Sequence, residues 1–412
     1  MRALVFDLKL PRYALAKTLG ARVPGLYHGP GTCFELRDGW PSPEPPTSDF
    51  ATLAPVLAGI CGTDLAAIFL KSSPALSAYA SLPAVFGHEV LARVVTPPAG
   101  SALREGDRVV VDPFLSCGVR GISACARCAT GDYASCERAG TGPRKGMMIG
   151  ACAELPGGFA ERMVAHAFQL FAVPDSIPSA RAVLTEPLAV SVHAVLRHPP
   201  RDGERVLVIG GGIIALGAVW ALRELFPSAH VTLLSLEAYQ ADAAKSLGAH
   251  RTVCPDREDV VLTLARETGA TVLRPVIGRP FLAGGYDRVI DCIGSQRSLD
   301  DALRVTRAGG TVVLLGGAGE IPSLDWSFVW SKELTIAGSL AYGWVDHGTP
   351  VARTRTFAVT LELLASTRYP VESLLTHRFP MERYADALAA NLDRRGARSI
   401  KTVLEPNPEA DR

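Results

Sequence analysis

The sequence predicts an α/β protein in which a mostly-β N-terminal region precedes a doubly wound parallel sheet. Two patterns carry this expectation. Short β-like runs broken by Gly and Pro fill residues 1–195, and from about Arg201 strand-like and helix-like runs alternate. At 412 residues the chain is long enough for two or three domains, each able to bury its own core.

The β-like runs are ALVF at 3–6, APVLAGI at 54–60, VLARVV at 90–95 and DRVVVD at 107–112. Pro41, Pro43, Pro45 and Pro46 mark an extended loop before the first strong motif. RVLVIGGG at 205–212 then reads as a strand running into a glycine turn, and IIALGAVWALREL at 213–225 as a helix. HVTLLSL at 230–236 is a second strand, and AYQADAAKSLGA at 238–249 a second helix closing at Gly248. YDRVIDCIG (286–294), LDDALRVTRAGG (299–310) and TVVLLGG (311–317) continue as strand, helix and strand, with ELTIAGSL (333–340) a final strand. The tail holds two helical patterns, at 354–367 and 381–395, and a terminal strand, SIKTVL.

Composition narrows the function. Forty-two Lys and Arg against 41 Asp and Glu leave a formal charge of +1, so no overall field draws nucleic acid or an anionic membrane. A 48% hydrophobic content excludes a largely disordered chain. No secretory pattern opens the sequence. The uncharged stretch from Val206 to Leu222 is slightly short for a bilayer and is broken by three glycines, so it reads as strand, turn and helix. A soluble cytoplasmic protein is expected. Nine cysteines, an odd number, argue against a secreted disulfide framework, and four of them crowd between Cys117 and Cys136, which points to metal.

Gly210-Gly211-Gly212-Ile213-Ile214-Ala215 fits G-x-G-x-x-G/A between a strand and a helix. Gly210 allows the tight turn, Gly212 clears the approach of a pyrophosphate, and Ala215 lets helix and sheet pack closely. The helix N-terminus supplies N–H groups and positive potential to the phosphates. The residue expected to meet the adenosine ribose is Ser235, with Glu237 two residues on as the nearest carboxylate. No Arg stands beside Ser235, and NAD and NADP both remain open.

GICGTD at 59–64, GHE at 87–89, GDRVVVD at 106–112, GGFAE at 157–161 and TEPLAVSVHAV at 185–195 follow in that order upstream of the dinucleotide turn. Together with KEL at 332–334 and the closing THRFPMERYADAL…IKTVL, the set resembles the zinc-dependent medium-chain dehydrogenase/reductase superfamily. The polyol, threonine and glucose dehydrogenase branches look nearest. The resemblance spans nearly the whole chain except 11–47. It implies a GroES-like catalytic domain (1–195 and 340–412) and a Rossmann cofactor domain (196–339). It implies a small-molecule alcohol or carbonyl substrate and a homo-oligomer, dimer or tetramer.

The resemblance also implies a catalytic zinc held by Cys61, His88 and Glu186, with Glu89 a carboxylate that can approach or exchange onto the metal. One thiolate, one imidazole and one carboxylate leave a fourth position open for substrate oxygen. Asp64 and Asp107 are candidates to orient the ligands from behind. Thr63 matches the relay hydroxyl, although Ala66 stands where the liver-type enzymes continue the relay with His.

Cys117, Cys125, Cys128 and Cys136 suit a closed structural zinc site. The family spacing would place the first thiol at residue 122, where this chain has Ile122. Cys117 precedes it across the insertion GVRGI, a difference a loop can close. A zinc-free reductase acting on an activated double bond and a non-catalytic dinucleotide-binding protein are the competing readings.

Overall fold

The computed structural model of the protein describes residues 1–255, 259–317 and 319–411. The chain divides into two compact units. One comprises Met1–Glu186, Phe357–Ala365 and Leu375–Arg412, the other Pro187–Thr356 and Ser366–Leu374. The first two divisions fall within the helix Thr185–Arg197 and just after the hairpin Trp344–His347/Ala352–Arg355, and two more set Ser366–Leu374 in the second unit; the sequence reading places two boundaries, at 195/196 and 339/340.

The second unit is built on a six-stranded parallel sheet. Its spatial order is Arg251–Val253, His230–Leu234, Arg205–Ile209, Tyr286–Asp291, Thr306–Leu314 and Thr335–Gly338. The chain starts in the middle of the sheet and winds outward on one side, then returns to build the other, so the order reverses beside Arg205–Ile209. A crevice therefore opens at the carboxyl ends of the central strands. Val206, Leu207, Val208 and Ile209 are all buried, which explains why this strand reads as a continuous apolar run rather than an alternating one.

Three elements depart from the sequence reading. The run at 299–310 is a helix only as far as Val305 (Gln296–Val305), and Thr306 already opens the next strand. The Thr306 hydroxyl donates to the Ala302 carbonyl at 2.6 Å and so satisfies the helix end. An antiparallel hairpin, Thr271–Leu273 with Phe281–Ala283, lies between sheet strands. It is fastened by Arg279, whose guanidinium meets Asp259, Asp300 and Asp301 at 3.1, 2.5 and 2.6 Å. A second hairpin pairs Trp344–His347 with Ala352–Arg355.

The first unit is mostly β. Its main sheet runs Leu375–Pro380, Lys401–Glu405, Phe50–Gly59, Glu89–Thr96, Arg108–Val111 and Leu170–Ala172, and Met163–His166 also pairs with Phe50–Gly59. The C-terminal strand Lys401–Glu405 thus lies beside the strand that leads into GICGTD. A smaller sheet pairs Ala3–Phe6 with Phe34–Arg37 and Ala84–Val85.

The 11–47 stretch is resolved by this pairing. Ala3–Phe6 and Phe34–Arg37 form an antiparallel pair, and the residues between them are an insertion carrying a helix, Leu10–Leu19, and a short 3₁₀ turn. Tyr13, Leu26 and Tyr27 pack on a core that includes Ile68, Phe69 and Leu70. Lys17 Nζ donates to the Leu70 carbonyl at 2.7 Å. Among the described residues no helix is long and apolar enough to cross a membrane.

Candidate metal and dinucleotide site

The strand Phe50–Gly59 ends one residue short of Ile60, and the helix Gly62–Ile68 follows with Cys61 at its N-cap. The cap is reciprocal. The Asp64 N–H meets the Cys61 sulfur, and Asp64 Oδ2 accepts the Cys61 N–H at 2.9 Å. Asp64 Oδ1 also lies 3.4 Å from His88 Nδ1. One buried carboxylate therefore orients both residues expected to hold a metal. Burial works to lower the His88 imidazole, but the Asp64 carboxylate and the Cys61 thiol outweigh it and raise it well above its ordinary range. The surroundings favour a cation at this point.

Ligand atoms of Cys61, His88 and Glu89 lie within 4.8 Å of one another. A thiol, an imidazole and a carboxylate at that separation fit a zinc ion. Glu186 is buried in the first turn of Thr185–Arg197 but stands outside this group. Thr63 is exposed in the first turn of the Cys61 helix. Asp107 does not join the group. Its Oδ2 accepts the Arg104 N–H at 2.7 Å and closes an exposed turn.

Cys117, Cys125, Cys128 and Cys136 converge likewise, within 4.8 Å. The sulfurs of Cys117 and Cys136 are 3.6 Å apart, those of Cys125 and Cys136 4.0 Å. A tetrahedral ZnS₄ site with bonds of about 2.3 Å has edges of about 3.8 Å, so the four thiols are set for zinc. The shifted position of Cys117 is absorbed by the GVRGI turn, where Ile122 N–H meets the Cys117 carbonyl at 3.0 Å and Ile122 packs against the cluster. Arg120, in the middle of that turn, is fully buried. It donates to the carbonyls of Pro143 (3.2 Å), Arg144 and Gly146 (2.5 Å), pinning the insertion to a neighbouring loop.

The dinucleotide turn lies where the sheet order reverses. Gly210 has φ +129°, a conformation an L side chain resists, and it stands close to Ala215, Cys292 and Ile293. Gly212 is the N-cap of the helix Ile213–Leu225 and Ala215 is buried in its first turns. The Ser235 hydroxyl is buried, 3.4 Å from Cys254 Sγ and 3.5 Å from the Glu237 carbonyl. Glu237 is half-buried at the N-cap of Ala238–Ser246.

Sequence reasoning missed Asp291, which ends the strand beside the Gly210 turn. Asp291 Oδ1 accepts the N–H groups of Ile293 (2.9 Å) and Gly294 (3.2 Å), and Oδ2 accepts the Ser298 hydroxyl at 3.0 Å. Burial pushes its carboxyl up in spite of those bonds. It shapes the 292–294 loop that faces Gly210. An Asp ending an apolar strand was the available signal.

Residues 49–175 match the alcohol dehydrogenase GroES-like domain, and residues 226–361 match the zinc-binding dehydrogenase domain. An uncharacterized zinc-type alcohol dehydrogenase-like protein of Haemophilus influenzae is 30% identical over 300 residues, covering 72% of this chain and 78% of that protein. This chain belongs to the zinc-dependent medium-chain dehydrogenase/reductase superfamily. The sorbitol dehydrogenase of Bos taurus is 28% identical over 389 residues, covering 93% of this chain and 96% of its own. The alcohol dehydrogenase of Thermus sp. ATN1 shares the fold at a TM-score of 0.71 and 24% identity, over 98% of this chain and 99% of that one. The chain is an alcohol dehydrogenase-like oxidoreductase of this superfamily, in which zinc and a nicotinamide dinucleotide are the cofactors.

Proposed function

We propose that the protein interconverts a secondary alcohol or polyol and its carbonyl by NAD(P)-linked hydride transfer at a zinc held by Cys61, His88 and Glu186, with Glu89 the exchanging carboxylate. The observation that carries this reading is the convergence of Cys61, His88 and Glu89 on one point. The sorbitol dehydrogenase relative supports a polyol class of substrate. Zinc bound there supplies the Lewis acidity that lets an alcohol lose its proton near neutrality.

The chain's own residues do the rest. Asp64 fixes Cys61 and His88 in place. Thr63, exposed two residues beyond Cys61, takes the alcohol proton toward solvent. Gly210, Gly212 and Ala215 let the pyrophosphate settle on the helix Ile213–Leu225, while Ser235 and Glu237 border the adenosine ribose. The four clustered thiols, of Cys117, Cys125, Cys128 and Cys136, would hold a second, structural zinc. We assign the protein to the cytoplasm and to a homo-oligomer. The edge strand Thr335–Gly338 and the exposed Trp326 and Trp330 near it support self-association.

Elemental analysis together with a panel of secondary alcohols and polyols, each offered NAD and NADP, tests the assignment. Two zincs per chain and turnover that disappears in Cys61→Ser are expected. Full turnover after removal of all metal defeats it.

A further inference from the structure

Three neighbouring strands bring Glu89 and Lys401 together. In the pairing, Gly59 stands opposite Glu89 on one side and Val403, two residues after Lys401, on the other. Gly59 has no side chain, and this matters. A Cβ there would lie 1.9 Å from Glu89 Oε2 and 2.9 Å from Lys401 Cε. Across that gap the Lys401 ammonium forms an ion pair with the Glu89 carboxylate, at 2% and 1% exposure. Lys401 Nζ also donates to the Ile60 carbonyl at 2.9 Å, one residue before Cys61.

A buried ammonium is costly unless its surroundings repay it. Here it meets the carboxylate whose ligand atom lies within 4.8 Å of the Cys61 sulfur and a His88 ring nitrogen. The carboxylate has two competing cations, a lysine held in the sheet and a metal held by Cys61 and His88. Ion pairing with one weakens its reach for the other.

We propose that Lys401 is a positioning residue for the metal centre: by holding Glu89 it restrains that carboxylate from closing onto the metal and so sets how fast the metal exchanges. The inference rests on the metal reading of the Cys61–His88 group given above. Gly59 is the clearance that lets the two side chains meet, and Ile60 ties the lysine to the backbone beside Cys61.

Zinc release to a chromogenic chelator tests this on the intact, metal-loaded protein. The zinc of the cysteine cluster gives a separate phase and serves as the internal control. Lys401→Met frees Glu89 for the metal, and the catalytic-site phase slows by about tenfold or more while the cysteine-cluster phase is unchanged. Lys401→Arg, which keeps the ion pair, stays near the wild type. In a Glu89→Gln background Lys401→Met has no further effect, because the lysine then has no carboxylate to restrain. With cobalt in place of zinc, the visible spectrum of Lys401→Met shifts toward higher coordination. If Lys401→Met does not accumulate folded, Lys401→Gln makes the same comparison.

A catalytic-site phase within twofold of wild type in folded, loaded Lys401→Met overturns the inference. So does a change that persists undiminished with Glu89→Gln. A wild type that holds only the cysteine-cluster zinc overturns the reading of the site, and this inference with it.

Discussion

Asp64 Oδ2 accepts the backbone N–H of Cys61 at 2.9 Å while its other oxygen faces His88. A single side chain thus sets the direction of two candidate ligands from separate segments of the chain. Asp64→Asn keeps the shape but removes the charge. Metal affinity at the Cys61–His88 group is expected to fall about 10- to 100-fold, measured by competition with a chelator, with the far-ultraviolet circular dichroism unchanged. Unaltered affinity would remove Asp64 from this role.

The cysteine cluster predicts a change of stoichiometry. Cys117→Ser should reduce zinc from two ions to one per chain, because Cys117 and Cys136 already stand 3.6 Å apart as a tetrahedral edge requires. Retention of both ions would show that Cys117 is a free thiol.

Arg120 offers an independent check on the same lobe. Its guanidinium serves the carbonyls of Pro143, Arg144 and Gly146. Arg120→Met fills the volume but leaves buried acceptors unserved, at a cost of about 1–3 kcal/mol each where water cannot reach them. Faster proteolysis within 118–146 and a lower midpoint of thermal unfolding are expected. A stability equal to wild type would contradict the pinning.

Tyr286 predicts a pH effect. Its hydroxyl is buried beside Thr232, and burial outweighs that neighbour and pushes the phenol up to about 12. The unfolded phenol titrates near pH 10, at about its reference value. Because the folded value is the higher, the contribution of Tyr286 is fully present below about pH 10 and is lost as the pH rises through about 12. The loss is on the order of 2 kcal/mol. Denaturant titrations of wild type and Tyr286→Phe between pH 9 and pH 12 should diverge by that amount. Parallel curves would refute it.

The N-terminal insertion also has a measurable consequence. Leu70, a non-glycine residue at φ +55°, ends the segment that follows the Cys61 helix, and Lys17 Nζ holds its carbonyl. Lys17→Met should lower stability by about 1 kcal/mol in urea and loosen residues 8–32 to limited proteolysis. An unchanged cleavage pattern would show that the insertion is held by its apolar contacts alone.

Much of this protein is local information. The strand at 205–209, the helix at 213–225 and the turn between them follow from an apolar run, a helical period and Gly210, all read within a few residues. The four cysteines could be grouped for the same reason, since a tetrathiolate site draws ligands from one short segment. The insertion helix Leu10–Leu19 escaped because its leucines face outward and its partners lie near residue 70.

The centre around Cys61 divides the same way. Residue types in GICGTD and GHE marked Cys61, Asp64, His88 and Glu89, because a metal demands particular donor atoms wherever they lie in the chain. Which donors share a point, that Glu186 stands outside the group and Asp107 serves a turn, and that Lys401 reaches Glu89 across Gly59 depend on strand order and register. Those are set by packing among segments hundreds of residues apart, where no local pattern records which strand will lie beside which.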